Sequence, residues 1–338
     1  MYRITIDVGG TFTDCLVMDA DGGMRQFKAY TTPSDPSDGF VDAITKAAEG
    51  FGHPDLPDFL GQVELIIHGT TLATNTLINR NGARTGMITT RGFRDITEVR
   101  RGFKNIRTSM YNVFVPPYDP LVPRHLRLEA AERSTYDGSI VAELDEDEVR
   151  VAAERLRDQG VEAVVIGFLH SYANPENERR ATEITRQVMP DAYVTASHEI
   201  LPVWREFERF STTVVSAYCG PAVERYLRTL GKRLIATGFA GNLLMMLSDG
   251  LVETPEYCIP RVVYLIGSGP AAAPSGALHI GTETGARDIL SVDMGGTSFD
   301  ICMVRDGELP PTTEAWVQDE RVAIKMVDIQ SGGAGGGS

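Results

Sequence analysis

Short apolar runs separated by glycine turns predict the first elements of the chain. Residues 2–8 (YRITIDV) are typical of a buried strand, and the pair Gly9-Gly10 follows as a tight turn. Residues 16–30 hold an apolar run, an Asp-Gly-Gly turn and a returning run, which predicts a hairpin. The chain is therefore expected to open on neighbouring strands joined by glycine turns.

The next segment alternates between helical and strand patterns. Apolar residues at helical spacing predict a helix over 38–52, and the run at 63–71 predicts a strand that leads into a polar loop. Residues 72–82 then favour a helix and 83–90 a strand. This order is typical of a strand–helix–strand unit.

A second α/β unit is predicted over residues 142–200, after a proline- and aromatic-rich stretch at 101–125 that we interpret as a long functional loop. A hairpin over 127–141 that turns at Asp137-Gly138 is predicted just before this unit. Two helices then alternate with two strands. The helices are expected at 145–160, capped by Asp145, and at 174–189, capped by Asn174. The strands are expected at 161–170 and 192–200.

The last third of the chain begins with a helical pattern over 204–234, in which Gly220-Pro221 predicts a break. A strand with an Asp-Gly turn follows at 242–253, and residues 269–281 predict a helix of small residues. Residues 288–309 then repeat the opening pattern of apolar strand, glycine pair and second apolar strand.

Composition narrows the classes of function. The 338 residues suffice for roughly two or three domains. A net charge of −14 argues against a nucleic-acid partner, and no apolar run approaches the roughly 20 residues that span a bilayer. The N-terminus does not resemble a signal peptide. The four widely spaced cysteines (Cys15, Cys219, Cys258 and Cys302) are therefore expected to be free thiols of a cytoplasmic protein.

A near-repeat carries the candidate chemistry. The segments IDVGGTFTD at 6–14 and VDMGGTSFD at 292–300 match without gaps at five positions. The matched pairs are Asp7 with Asp293, Gly9 with Gly295, Gly10 with Gly296, Thr11 with Thr297, and Asp14 with Asp300. One such turn could be an ordinary hairpin, but two copies suggest two domains that face each other across a ligand cleft.

The residue types in the repeat suit phosphate. Glycine pairs let the backbone N–H groups approach an anion closely, and hydroxyls can add hydrogen-bond donors. The candidate donors are Gly9, Gly10, Thr11 and Thr13 in the first copy, and Gly295, Gly296, Thr297 and Ser298 in the second. Asp7 and Asp293 can hold Mg²⁺, directly or through water, against the phosphates, although no Walker motif is present.

Other polar residues leave two interpretations open. His68 follows a strand and faces a polar loop, so it is either a substrate-site residue or a histidine whose hydrogen bonds are satisfied by loop backbone. Arg100, Arg101 and Lys104 could collect an anionic substrate or form a solvated loop surface. Glu206 and Arg209 are spaced for a local ion pair on a helix.

The repeat resembles the two phosphate loops of the actin-like fold shared by actin, sugar kinases and heat-shock ATPases. Within that group the chain resembles the hydantoinase A/5-oxoprolinase family, through IDVGGTFTD, HGTTLATNTLINRNGARTGMITTRGFRD at 68–95, SHEILPVWREFERFSTTVVSAYCGP at 197–221, and DMGGTSFDI. The resemblance implies an α/β, ribonuclease H-like fold with duplicated βββαβα lobes. It also implies an N-terminal region over 1–203 and an ATPase domain that starts at 204 and continues to 338.

The sequence departs from the family pattern in two places. The turn after LLMM reads SDGLVE and lacks an extra glycine, and the chain stops at GAGGGS, which in the family lies inside the second domain. We therefore expect an incomplete chain whose adenine-binding segment lies beyond residue 338.

The resemblance also implies an activity. The family uses ATP and Mg²⁺ to phosphorylate a carbonyl oxygen, which opens a cyclic amide or imide such as a hydantoin or oxoproline. Asp7, Asp293, Asp14, Asp300 and His68 are the candidate catalytic residues, with Asp14 or Asp300 orienting water or substrate. The alternatives are an acetone- or acetophenone-type ketone carboxylase subunit and a non-enzymatic scaffold or chaperone ATPase. The implied partner is a hydantoinase B-like subunit in a hetero-oligomer.

Overall fold

The computed structural model describes residues 1–32, 35–102, 111–114, 117–294 and 299–332. The strands are β1 Tyr2–Val8, β2 Phe12–Met18, β3 Met24–Tyr30, β4 Val63–Thr70, β5 Thr85–Thr90, β6 Arg127–Ala130, β7 Arg133–Ser134, β8 Ile140–Ala142, β9 Ala163–Gly167, β10 Tyr193–Ala196, β11 Asn242–Met246, β12 Val252–Glu253, β13 Ile289–Met294, β14 Phe299–Val304, β15 Pro311–Thr312, β16 Ala315–Val317, β17 Glu320–Val322, β18 Met326–Val327 and β19 Gln330–Gly332. The α-helices are α1 Pro36–Gly50, α2 Leu56–Leu60, α3 Leu72–Ile78, α4 Ile96–Val99, α5 Glu146–Asp158, α6 Glu176–Val188, α7 Ser197–Ile200, α8 Glu206–Ala236, α9 Pro255–Cys258 and α10 Ser268–Thr284. Short 3₁₀ turns lie at Arg100–Gly102, Arg124–Leu126 and Ile259–Leu265.

The first sheet has the order β12-β11-β4-β1-β2-β3. The predicted hairpin strands are confirmed: β1 and β3 both pair antiparallel to β2, and β4 runs parallel to β1. Alternation in β1 buries Ile4, Ile6 and Val8 on the face covered by α1. Helix α1 starts two residues before the predicted position because the Asp35 carboxylate accepts a hydrogen bond from the backbone N–H of Ser37.

The second sheet is parallel, with the order β10-β9-β5-β6. All five residues of β9 are buried, as a parallel strand covered on both faces requires. The predicted hairpin over 127–141 is partly wrong, because β6 pairs parallel to β5. The Asp137-Gly138 turn instead joins the short strands β7 and β8. A run of alternating residues does not by itself specify which strand it will pair with.

Helix α8 passes through the predicted break at Gly220-Pro221, so that prediction is wrong. Most of its surface is buried against the second sheet, α3, β17 and the 3₁₀ turn that precedes α10. A Cβ atom at Gly220 would lie 2.5 Å from the ring of Tyr193, so glycine lets that ring pack against the helix backbone. Packing of this kind offsets the local cost of a proline in a helix.

The C-terminal part contains α10 and the antiparallel sheet β13-β14-β19. The helix predicted at 269–281 and the two apolar strands predicted within 288–309 are confirmed. The division at residues 203 and 204 stays a prediction, and β11 and β12 lie after that division although they belong to the first sheet. The four cysteines are buried and unpaired, and no helix in the described residues is long and apolar enough to cross a membrane.

Candidate phosphate and metal site

Asp7 lies near the carboxyl end of β1 and rests on two glycines. A Cβ atom at Gly69, which follows His68 in β4, would lie 3.0 Å from Asp7 Oδ1. A Cβ atom at Gly269, in the first turn of α10, would lie 3.3 Å from the same oxygen. The absence of a side chain at both positions therefore makes the space that the carboxylate occupies.

Negative charges surround Asp7 without a described positive partner. Burial in the cleft, followed by the charges of Asp14 and Asp293, raises the pKa of Asp7 to about 6. Solvent still reaches part of the side chain. No lysine or arginine in the described ranges forms an ion pair with it, and the influence of Asp293 places both predicted metal-binding carboxylates in one region. A bound cation would relieve this repulsion.

The two copies of the repeat share one register. Asp7 pairs with Asp14 across β1 and β2, and Asp293 pairs with Asp300 across β13 and β14, so each pair lies on one face of its hairpin. The second aspartates differ in their surroundings. Lys28 Nζ lies 3.1 Å from Asp14 Oδ1, whereas Asp300 is buried.

In the first glycine turn, some backbone N–H groups are accessible to a ligand and one is already hydrogen-bonded within the turn. Gly9 donates its N–H to the carbonyl of Phe12 at 3.0 Å, while Gly10 and Thr11 are exposed. A Cβ atom at Gly10 would have no neighbour within 4 Å, so its backbone is open to a ligand. The structure corrects the prediction for Thr13, because its side chain is buried and its hydroxyl lies 3.0 Å from Thr31 Oγ1. Strand alternation turns Thr13 towards α1.

The predicted donors of the second turn, Gly295, Gly296, Thr297 and Ser298, lie outside the described residues. The flanking residues are described, and Met294 pairs with Phe299. This pairing corresponds to that of Val8 with Thr13 in the first hairpin. The repeat therefore extends to the edge of the turn on both sides.

His68 lies in the core and has no exposed surface. Its Nδ1–H donates to the carbonyl of Ile6 at 3.2 Å, and its Nε2 accepts from the Tyr226 hydroxyl at 2.7 Å. Burial lowers the pKa of His68 to about 4, so the ring is neutral at physiological pH. This geometry corrects the prediction of a catalytic His68 and favours the structural alternative.

The three basic residues predicted to cluster near residue 100 do not share one environment. Arg100 is buried and stacks on Tyr118, with its guanidinium carbon 4.2 Å from the ring centroid. Arg101 donates to Glu208 at 2.6 Å, and Lys104 lies outside the described residues. Arg100 is therefore part of the packing between loops, not a solvated surface.

The described residues contain no group of three or more His, Cys, Asp or Glu side chains arranged to hold a metal by themselves. Mg²⁺ commonly uses one or two carboxylates together with substrate phosphates and waters. Asp7 and Asp293 would supply the two carboxylates of such a site. Sequence reasoning missed Gly69 and Gly269, although both glycines stand out in the segments HGTT and GSGP.

Two family models cover most of the chain. The N-terminal region of hydantoinase/oxoprolinase matches residues 3–189, and hydantoinase/oxoprolinase matches residues 209–338. The chain belongs to the hydantoinase/oxoprolinase family. The resemblance of the sequence motifs to this family is thereby confirmed. The site around Asp7 therefore belongs to a hydantoinase/oxoprolinase chain.

Known proteins show the same relationship. The caprolactamase subunit alpha of Pseudomonas jessenii is 36% identical over 337 residues, which is 100% of this chain and 48% of that protein. The crystal structure of the ATP-dependent caprolactamase from that organism matches with a TM-score of 0.89 at 35% identity, over 97% of this chain and 47% of its own. A nucleotide-free structure of acetone carboxylase matches with a TM-score of 0.89 at 28% identity, over 99% of this chain and 48% of its own.

These matches confirm the predicted fold class for this hydantoinase/oxoprolinase chain. The chain spans about half the length of these relatives. The relatives named here are described as an ATP-dependent caprolactamase and an acetone carboxylase of ATP-dependent mechanism.

Proposed function

We propose that this chain is the ATP-binding part of an enzyme that phosphorylates the carbonyl oxygen of a cyclic amide. The observation that carries the proposal is the carboxylate of Asp7, which is seated on Gly69 and Gly269 among other negative charges and has no described cation beside it. Such a carboxylate is suited to a divalent cation and its phosphate ligands.

Asp7 and Asp293 would hold Mg²⁺, which neutralises phosphate charge when bound. The exposed backbone at Gly10 and Thr11 offers donors to phosphate oxygens on one side. The first turn of α10 lies beside Asp7 and has no side-chain cap, so its N–H groups add a partial positive charge there. Three features of the described chain thus favour phosphate at one place.

The reaction needs alignment and charge neutralisation more than covalent help. An amide oxygen of the substrate attacks the terminal phosphorus of ATP, the new O–P bond forms, and the bridging P–O bond breaks to release ADP. Water then adds to the activated carbon, and the C–N bond breaks as the amine takes up a proton, which leaves an acyl phosphate. A second water attacks the acyl carbon, and phosphate leaves with the former carbonyl oxygen. The relationship to caprolactamase supports a lactam as the substrate class.

A second candidate is phosphorylation for ketone carboxylation. It is supported by the acetone carboxylase structure, whose TM-score equals that of caprolactamase. Both activities would use the same Asp7 site, and they differ in whether bicarbonate is consumed.

The names of several relatives as subunits also support a hetero-oligomer with a second, hydantoinase B-like subunit. Dependence on ATP and four unpaired thiols are consistent with a cytoplasmic location.

The test is ADP release by the full-length protein with its partner subunit, with and without a lactam, a hydantoin, or acetone plus bicarbonate. Stimulation by a cyclic amide without bicarbonate is the expected result. Stimulation that needs both ketone and bicarbonate would replace the first candidate by the second. ATP hydrolysis unchanged by any small molecule would contradict both and favour a scaffold or chaperone ATPase.

A further inference from the structure

The second sheet has a strand order that marks a place for a ligand. The chain runs from β5 outward to β6, returns to β9 on the other side of β5, and continues outward to β10. The connections after β5 and β9 therefore leave in opposite directions. In open parallel sheets, ligands bind in the crevice at the carboxyl ends of two such strands.

A cavity of about 260 Å³ lies at that position. Arg101 comes from the loop that follows β5, His170 and Tyr172 come from the loop that follows β9, and Trp204 and Arg205 precede α8. We name it the switch-point pocket. Its volume lies just below the range typical of drug-sized ligands, so it suits a small molecule.

The walls of the switch-point pocket combine positive charge with flat apolar surface. Arg101, Arg205 and Arg209 line it together with one carboxylate, Glu206. Trp204 supplies an aromatic face with Arg205 stacked above it, the guanidinium carbon being 4.3 Å from the ring centroid. Arg101 and Arg205 share Glu208 as a counter-charge, at 2.6 and 3.9 Å. The uncapped N-terminus of α8 adds a partial positive charge.

Arg209 is held rigidly at the base of the pocket. Its Nε donates to Ser197 Oγ at 2.9 Å, and its two Nη atoms donate to the carbonyls of Val203 at 2.9 Å and Phe168 at 2.8 Å. Three of the five N–H groups of this buried guanidinium are thus engaged by described residues, so it acts as a fixed positive charge at the base of the pocket. Behind it, the fully buried Glu178 accepts hydrogen bonds from Ser197 Oγ and from the backbone N–H of His198.

Backbone strain is concentrated in the same walls. Arg101, His170 and Arg205 have φ values of +51°, +57° and +76°, a region that side-chain-bearing residues rarely adopt. Three of the lining residues therefore hold a costly conformation. Strain of this kind clusters at binding sites, where it fixes side chains in a required direction.

The pocket is distant from Asp7. Helix α8 meets His68, next to Gly69, through Tyr226, and it meets the pocket through Arg209. The two positions are 17 residues apart (226 − 209). At 1.5 Å per residue this is about 25 Å along the helix axis. A molecule in the pocket thus does not reach the phosphate site.

From this placement we propose that the switch-point pocket binds a small organic carboxylate with a flat apolar body, at a site separate from the nucleotide. The carboxylate accepts hydrogen bonds from the exposed guanidinium of Arg205, the buried charge of Arg209 lies behind it, and its body packs on Trp204 and Tyr172. Bidentate contact with arginine is a favourable geometry for a carboxylate. Burial and the nearby Arg133 and Arg209 lower the pKa of His170, which leaves it neutral beside the ligand.

The test is fluorine NMR of para-fluorobenzoate with the full-length protein, with para-fluorobenzamide as the uncharged analogue. Saturable binding of the benzoate, at least about tenfold tighter than the amide, is expected because a charge-assisted hydrogen bond is lost in the amide. ATP should not displace the benzoate. Equal binding of both probes, absence of binding at millimolar benzoate, or competition by ATP would overturn the proposal.

Variants separate the pocket from a general charge effect. Arg205→Gln should weaken benzoate binding at least about tenfold, and Arg228→Gln, an exposed arginine further along α8, should leave it unchanged. Trp204→Leu alters a mostly exposed side chain and should weaken binding without affecting folding. The proposal fails if Arg205→Gln and Trp204→Leu both bind as the unchanged protein does, or if Arg228→Gln weakens binding equally. The outcome does not depend on the proposed reaction, since nucleotide binding is measured separately in each variant.

Discussion

The two repeat hairpins have the same aspartate spacing and the same register but different surroundings. In β1, Ile4, Ile6 and Val8 are at most 3% exposed under α1. At the equivalent positions of β13, Leu290, Val292 and Met294 are 60%, 50% and 61% exposed, because α10, which packs against this strand, leaves their face uncovered. The motif therefore determines strand pairing, and the elements that pack on each hairpin determine its stability and charge environment.

The largest expected effect is on stability. In the 338-residue chain, Ile6→Ala should lower the free energy of unfolding by about 2–5 kcal/mol, because it leaves a cavity in a packed core. Val292→Ala should change it by no more than about 0.5 kcal/mol, since that side chain is half exposed. Urea denaturation of both variants measures the difference. Equal losses would show that the second hairpin is covered as the first is.

The next effect concerns the core below the first site. Tyr226→Phe removes the hydroxyl that donates to His68 Nε2 and leaves a buried acceptor unsatisfied. We expect a loss of about 1–3 kcal/mol in unfolding free energy with unchanged affinity for MgATP. Tyr136→Phe, at an exposed tyrosine, is the matched control and should change neither quantity. A loss of MgATP affinity in Tyr226→Phe would contradict a purely structural role and indicate that His68 contributes to nucleotide binding.

A smaller effect is expected where α10 supports Asp7. Gly269→Ala places a Cβ atom 3.3 Å from Asp7 Oδ1 and should weaken MgATP binding about tenfold by displacing the carboxylate, which corresponds to about 1.4 kcal/mol. Gly276→Ala lies in the same helix with no atom within 4 Å of the added Cβ. It should leave binding unchanged and stabilise the helix by roughly 0.5–1 kcal/mol. Calorimetric titration of both variants, combined with thermal unfolding, separates the two roles.

The smallest effect is the dependence on pH. Because the pKa of Asp7 is raised from 3.8 to about 6, its contribution to folding is present below pH 4 and is lost as pH rises through 6. Mg²⁺ requires the deprotonated form, so affinity for Mg²⁺ with nucleotide should rise through pH 6 and level off above pH 7. Asp7→Asn should abolish this rise. An unchanged profile in that variant would assign the titration to another group.

The sequence predicted the strands of both hairpins because a repeat with glycine turns restricts the possible pairings. It could not place Thr13, since the direction of a side chain depends on which face α1 covers. The parallel pairing of β6 and the continuous α8 also depend on contacts distant in sequence. The support of Asp7 by Gly69 and Gly269 joins segments about 200 residues apart, so local pattern alone gave no basis for it.

The most direct test of the account is a double-mutant cycle of Asp7→Asn and Asp293→Asn in the full-length protein, read as Mg²⁺-dependent binding of a non-hydrolysable ATP analogue. If both carboxylates hold one cation, each single variant should lose most of the Mg²⁺ dependence and the double variant little more, which gives a strong coupling energy. Losses that add independently, or Mg²⁺-dependent binding retained in the Asp7→Asn variant, would contradict a shared metal site between the two hairpins.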